Sequence, residues 1–194
     1  MNSAVLILAE RRMPNAGDSI RRYCGLPWSG GPPEVWAYPY FDAVPTDSFD
    51  VAPVDVLAAA ALHPKLTRSD LVWFADHRDQ LHRFLGELPN ASLGEVDPSV
   101  LDRLPGVADG IDLSLLTKVL HRKRPALIPM LDRSLVDWYR HHLNARGAAA
   151  WPELVRALAA DLRLNEDALR SLRLIAPLTD LRIADISIWM ENRR

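Results

Sequence analysis

Ser114 to Trp138 reads SLLTKVLHRKRPALIPMLDRSLVDW, and this stretch decides the fold. Leu113, Leu116 and Leu120 recur at helical spacing with Leu115 and Val119 beside them, which predicts a helix over 113–124. Ser114, Lys118, His121 and Arg122 recur three and four apart as a polar stripe. Pro125 stops that helix, because proline disfavours helical geometry in the residue before it. A short apolar link, Ala126-Leu127-Ile128-Pro129, leads to Asp132, which is placed to N-cap a second helix over 133–143. Arg122, Lys123 and Arg124 fall in the last turn of the first helix, where the carbonyl end of the helix dipole favours positive charge.

The flanking sequence repeats the pattern. Beyond Pro53, which suits a first helical turn, helices are expected over 54–62, 69–85 with Ser69 as cap, and 98–104 behind Asp97. Further helices are expected over 152–162, 166–174 behind Asn165, and 180–192 behind Thr179. Before Pro53 the chain reads differently. Pro27, Pro32, Pro33, Pro39 and Pro45 stand among Trp28, Trp36, Tyr38, Tyr40 and Phe41. Prolines at that density forbid a long helix or a central strand, and the aromatics imply an ordered segment laid on a core. Only a short helix over 19–24, capped by Asp18, is expected there; the apolar run at Val5–Leu8 is too short to assign. The reading is all-α: a single globular domain of about eight helices. An irregular N-terminal arm (1–52) packs on a helical folding unit (53–194).

The 194 residues suffice for one buried core, and the composition is that of an ordinary globular domain. The net charge of −2 is unevenly spread. Five acids and no Lys or Arg occupy 34–55, whereas 118–146 holds seven bases and two acids. Such a field attracts polyanions, or an acidic surface of the chain itself. Cys24 is the only cysteine, which excludes an internal disulfide and a multi-cysteine zinc site and fits the cytoplasm. No membrane span or signal peptide is expected, and no cofactor or metal site. Asp76, Asp79 and His82 share one helical face, but no second carboxylate–histidine pair completes a di-metal site. His141 and His142 diverge by about a hundred degrees on a helix.

Two residues carry candidate chemistry. Lys118, mid-stripe with an apolar flank, reads either as a partly desolvated amine able to act as nucleophile or as a wet lysine whose stem covers leucines. Asp132 reads as a helix cap that can also stabilise developing positive charge. Trp28, Trp36, Tyr38 and Tyr40 could stack on bases or anchor the core. Arg182 and Asp185 are expected to pair within the last helix, with Arg124 or Lys118 an alternative partner for Asp185 across the core.

The run Lys118-Val-Leu-His-(five residues)-Leu-Ile-Pro-Met-Leu-Asp132 resembles the lysine-helix-loop-aspartate core of the helix-hairpin-helix DNA glycosylase superfamily, and Leu104-Pro105-Gly106-Val107 looks like its hairpin. The chain is also similar to an uncharacterised actinobacterial family sharing a Lys-Arg-Pro-x-Leu-Ile-Pro-x-x-Asp string and a C-terminal Leu-Arg-x-x-Asp-x-x-x-Trp-Met. The glycosylase resemblance implies an all-α fold that grips DNA and flips a base, with Lys118 attacking the sugar and Asp132 assisting. His121, Arg122, Lys123 and Arg124 would then meet phosphates. The alternative expectation is a non-enzymatic regulatory or antitoxin-like module that binds a protein partner.

Overall fold

Leu6–Leu8 (β1) and Arg11–Met13 (β2) pair antiparallel, with Leu8 opposite Arg11, so the first apolar run is a strand. The two turn residues, Ala9 (φ 50°) and Glu10 (φ 63°), both lie in the left-handed region. Hairpins of this kind usually recruit Asn or Gly, and without that signal the strand is hard to read from sequence. Long-range ties hold it instead. Ala9 N–H donates to Asp161 Oδ2 (2.6 Å), and the Asn165 side chain accepts from Ile7 N–H (2.8 Å) and donates to Ile7 O (2.7 Å).

The computed structural model describes residues 5–46, 49–63 and 65–193; Ala4 and Asp47, one of the five acids of 34–55, lie outside them. The helices are α1 (Ala16–Tyr23), α2 (Pro53–Ala59), α3 (Arg68–Asp76), α4 (Arg78–Glu87) and α5 (Leu104–Val107). They continue with α6 (Leu113–Lys123), α7 (Arg133–Tyr139), α8 (Trp151–Leu164), α9 (Glu166–Leu172) and α10 (Asp180–Glu191). Short 3-10 turns occupy Pro98–Leu101, Arg140–His142 and Gly147–Ala150. The protein is mainly α-helical and forms one compact domain, with ten α-helices among the described residues where about eight were expected.

The differences are local. The helix expected over 69–85 is two helices, because His77 (φ −101°, ψ 9°) leaves helical geometry, donates from Nδ1 to Trp73 O (2.8 Å) and stacks on the Trp73 ring. Thr67, not Ser69, caps α3, in a reciprocal box with Asp70. Asp18 lies inside the first turn of α1, and its carboxylate reaches forward to Ser29. Asn165 stands at the start of α9 but spends its side chain on β1 and on Asp161 O. Leu104-Pro105-Gly106-Val107, likened to a hairpin, is a single helical turn.

Two helices lie deepest. Every residue of α10 from Leu181 to Ile188 is buried, and this helix packs on α1, α7, α8 and α9. In α6 everything from Leu115 to Lys123 is buried, and the helix packs on α2. Each leucine or isoleucine so enclosed contributes about 1.5–3 kcal/mol. The polar stripe of α6 does not face water. It faces the arm, which is irregular only beyond α1, since the hairpin and α1 precede it.

Candidate functional site

Asp55 in α2 is fully buried and joins the basic triplet to the arm. Arg122 Nε donates to its Oδ1 at 3.0 Å, and Lys123 Nζ pairs with its Oδ2. Arg122 also donates to the carbonyls of Phe41, Val44 (3.2 Å) and Pro45 (3.3 Å), and Lys123 donates to Thr46 Oγ1 (2.7 Å). Burial pushes the Asp55 carboxyl up, but hydrogen bonds from Lys123, Thr46 and Ala52 N–H outweigh it, so the pKa falls below the usual carboxylate range. Arg124 donates to Leu85 O (3.0 Å) and lies over the Phe49 ring. His121 is enclosed; its Nδ1 donates to Ile128 O (2.7 Å), and desolvation holds it neutral with its pKa lowered to about 4. The four residues read as a phosphate-facing rim are therefore interior tethers: His121 binds the link and Arg122, Lys123 and Arg124 are closed over by the arm and α4.

That link folds back along α6. His121 holds Ile128, and Leu131 N–H donates to Oγ1 of Thr117 (2.9 Å), the residue before Lys118. Asp132 is thereby returned to the same side as Lys118, and both line one cavity of about 730 Å³. Aromatic, aliphatic and charged side chains make up the remaining walls. Trp36 and Tyr40 come from the arm, and Arg182, Asp185 and Trp189 from α10. Trp36 and Trp189 meet edge to face at 5.2 Å, and Arg22, holding Glu34 at 2.9 Å, sets the carboxylate that accepts from Trp36 Nε1 (3.0 Å).

Lys118 is 3% exposed, and its Nζ donates to Ser114 Oγ (2.7 Å). Desolvation lowers its pKa from the lysine norm; the charges of Asp132 and Asp185 pull the other way without cancelling it. Lys118 forms no ion pair within 4.0 Å with either carboxylate among the described residues, so the amine and the acids share the cavity at longer range. Asp132 has the expected cap role, accepting from Leu135 N–H at 2.8 Å, while facing the cavity.

The acidic partner that the residue-by-residue reading undervalued is Asp185. Arg182 sits between two buried carboxylates. Asp42 of the arm takes it in two contacts (2.6 and 3.0 Å) and also accepts from Tyr23 Oη (2.7 Å). Burial raises the Asp42 carboxyl, but Arg182 and these hydrogen bonds win, leaving it lowered. Asp185 has one Arg182 contact. Burial outweighs that cation, Asp132 adds repulsion, and its pKa is pushed up to about 7. One guanidinium can neutralise one of its two acids, and the better-bonded Asp42 is the one that keeps its charge. The i,i+3 spacing of Arg182 and Asp185 was legible; their place in one cavity with Lys118 depends on α10 packing against α7, which no spacing reveals.

Elsewhere among the described residues no group of His, Cys, Asp and Glu could hold a metal ion, and His82 of the Asp76–Asp79–His82 face pairs with Asp50 (2.9 Å). His141 and His142 are exposed in a 3-10 turn. No described helix is long and apolar enough to cross a membrane.

Fold and cavity define a mainly helical protein with a buried lysine and two carboxylates behind an aromatic mouth. The chain belongs to DUF6308, a family of unknown function, whose profile matches residues 16–192. No curated protein and no solved structure matches it.

Proposed function

We propose that the cavity receives a planar, base-like ring and that Lys118, with Asp132, cleaves an N-glycosidic bond. The observation that carries this reading is a desolvated amine sharing an aromatic-walled cavity with Asp132. A desolvated lysine presents a larger fraction of free amine, the form that attacks carbon. Its nitrogen would bond to the anomeric carbon as the carbon–base bond breaks, the electron pair passing to the base. The proton lost by the alkylated amine balances the proton gained by the departing base. The amino sugar opens to an imine, and water releases the sugar and restores the lysine. Asp132 stabilises the positive charge that develops at the sugar.

The likeness of the Lys118–Asp132 run to helix-hairpin-helix DNA glycosylases favours the same chemistry and nucleic acid as one source of the base. Phosphate contacts by His121, Arg122, Lys123 and Arg124 would require the arm to lift. Borohydride added to the protein with abasic DNA, damaged DNA, nucleosides or nucleotides traps the imine. An adduct on Lys118 that is lost in Lys118→Ala is expected; no adduct with any of them contradicts cleavage.

A protein-binding role is the second reading, favoured by Val54, Leu57, Leu71 and Val72, which stand exposed on the neighbouring α2 and α3. It predicts that Leu57→Glu abolishes partner capture and leaves the cavity's ligand binding intact.

A further inference from the structure

We propose that the cavity's occupant is a free mononucleotide, its base against the aromatic wall and its phosphate at Arg193. The inference deepens the cleavage reading but stands on separate observations. Of the cations that line the cavity, Lys118 and Arg182 are buried, and Arg182 is committed to Asp42 and Asp185. Arg193 is the exposed one. Its guanidinium lies over Trp189 at 3.8 Å and over Trp36 at 5.3 Å, and no acid stands within 4.0 Å of it among the described residues. Stacking holds a guanidinium by its face and leaves its edge donors turned outward, the geometry that suits a phosphate. Inside, the Asp132 carboxylate disfavours an anion, so a phosphate belongs at the mouth and the uncharged ring within.

The same arrangement argues against a nucleotide held in a polymer. Polynucleotide affinity comes from several Lys and Arg contacts to successive phosphates. The basic cluster nearest Lys118 is turned inward onto Asp55, the arm carbonyls and Leu85 O. Among the described residues that line the cavity, one exposed cation matches one phosphate. Stacking on Tyr40, whose ring Arg193 does not cover, is indifferent to which base is present, because every base offers a π-face.

The test uses the full chain with adenosine, guanosine, cytidine and uridine 5′-monophosphates, the matching nucleosides, and duplex DNA with an abasic site. Tryptophan fluorescence reports binding; base release and borohydride adducts report chemistry. At least one monophosphate should bind about tenfold more tightly than its nucleoside, the advantage of one charged hydrogen-bonding contact. Arg193→Gln, a change at an exposed side chain, should erase that difference between nucleotide and nucleoside. Equal affinity for nucleotide and nucleoside overturns the inference, as does a difference unaffected by Arg193→Gln. Adducts with abasic DNA but no binding of any mononucleotide overturn it while leaving Lys118 cleavage standing. Arg193-dependent nucleotide binding with neither base release nor adduct supports it and contradicts the cleavage reading instead.

Discussion

Asp55 and Arg122, 67 residues apart in the chain, meet at 3.0 Å in the protein interior, with Lys123 on the other oxygen of the same carboxylate. This contact converts a basic sequence cluster into the clasp of an acidic arm. Removing one partner of a buried ion pair strands the others, at about 3–5 kcal/mol. Asp55→Asn should lower stability by that order in urea denaturation and expose the chain before Pro53 to limited proteolysis. An arm as protected as in the unchanged protein would refute the clasp.

Asp132 has two separable roles. Asn caps a helix about as well as Asp, so Asp132→Asn should change stability by about 1 kcal/mol or less. The carboxylate charge raises the Lys118 pKa, so the same substitution should lower that pKa further. Unfolding and lysine titration measured on one variant separate the roles; a large loss of stability with an unmoved lysine would show Asp132 to be structural alone.

Two buried groups impose opposite pH slopes. Asp185 has a folded pKa raised to about 7, so between its unfolded value, about 3.9, and 7 the folded state binds the extra proton and stability falls as pH rises. His121 has a folded pKa lowered to about 4, so between 4 and about 6.5 the unfolded state binds the extra proton and stability rises with pH. Asp185→Asn removes the falling contribution and should steepen the gain in stability from pH 4.5 to 6.5 relative to the unchanged protein. Urea midpoints across that range check it. Equal slopes would show that Asp185 is ionised throughout.

Trp36 is positioned through Glu34, which Arg22 holds. Glu34→Ala frees the indole N–H and should increase the mobility of one cavity wall. Nanosecond anisotropy of tryptophan fluorescence should show an added fast component in Glu34→Ala that disappears in Trp36→Phe/Glu34→Ala. An unchanged decay would mean that packing on Trp189 alone fixes Trp36.

Much of the scaffold was legible because local rules decide it. Pro125 and Asp132 announce the end of one helix and the start of the next, and Thr179 and Asp97 cap where their residue types suggest. Side-chain direction was harder. Arg122, Lys123 and Arg124 satisfy the helix-dipole rule equally well in water or in the interior, and only Asp55, the arm carbonyls and Leu85 O decide between them. The hairpin was missed because its turn uses Ala9 and Glu10, stabilised by Asp161 and Asn165 far along the chain. Lys118 and Asp132 could be nominated from spacing. Asp185, Trp189 and Trp36 join them through helix crossing and arm packing, which leave no periodic trace.

The chain has three lysines, Lys65, Lys118 and Lys123, so carbon-13 methylation of its amines gives a spectrum simple enough to assign with Lys118→Arg. Titration of the Lys118 signal tests whether its amine is desolvated beside Asp132 and Asp185. A midpoint below the ordinary lysine value of about 10.4 is predicted. A midpoint at or above that value would mean a hydrated or tightly paired ammonium, and would contradict Lys118 as the nucleophile of this cavity.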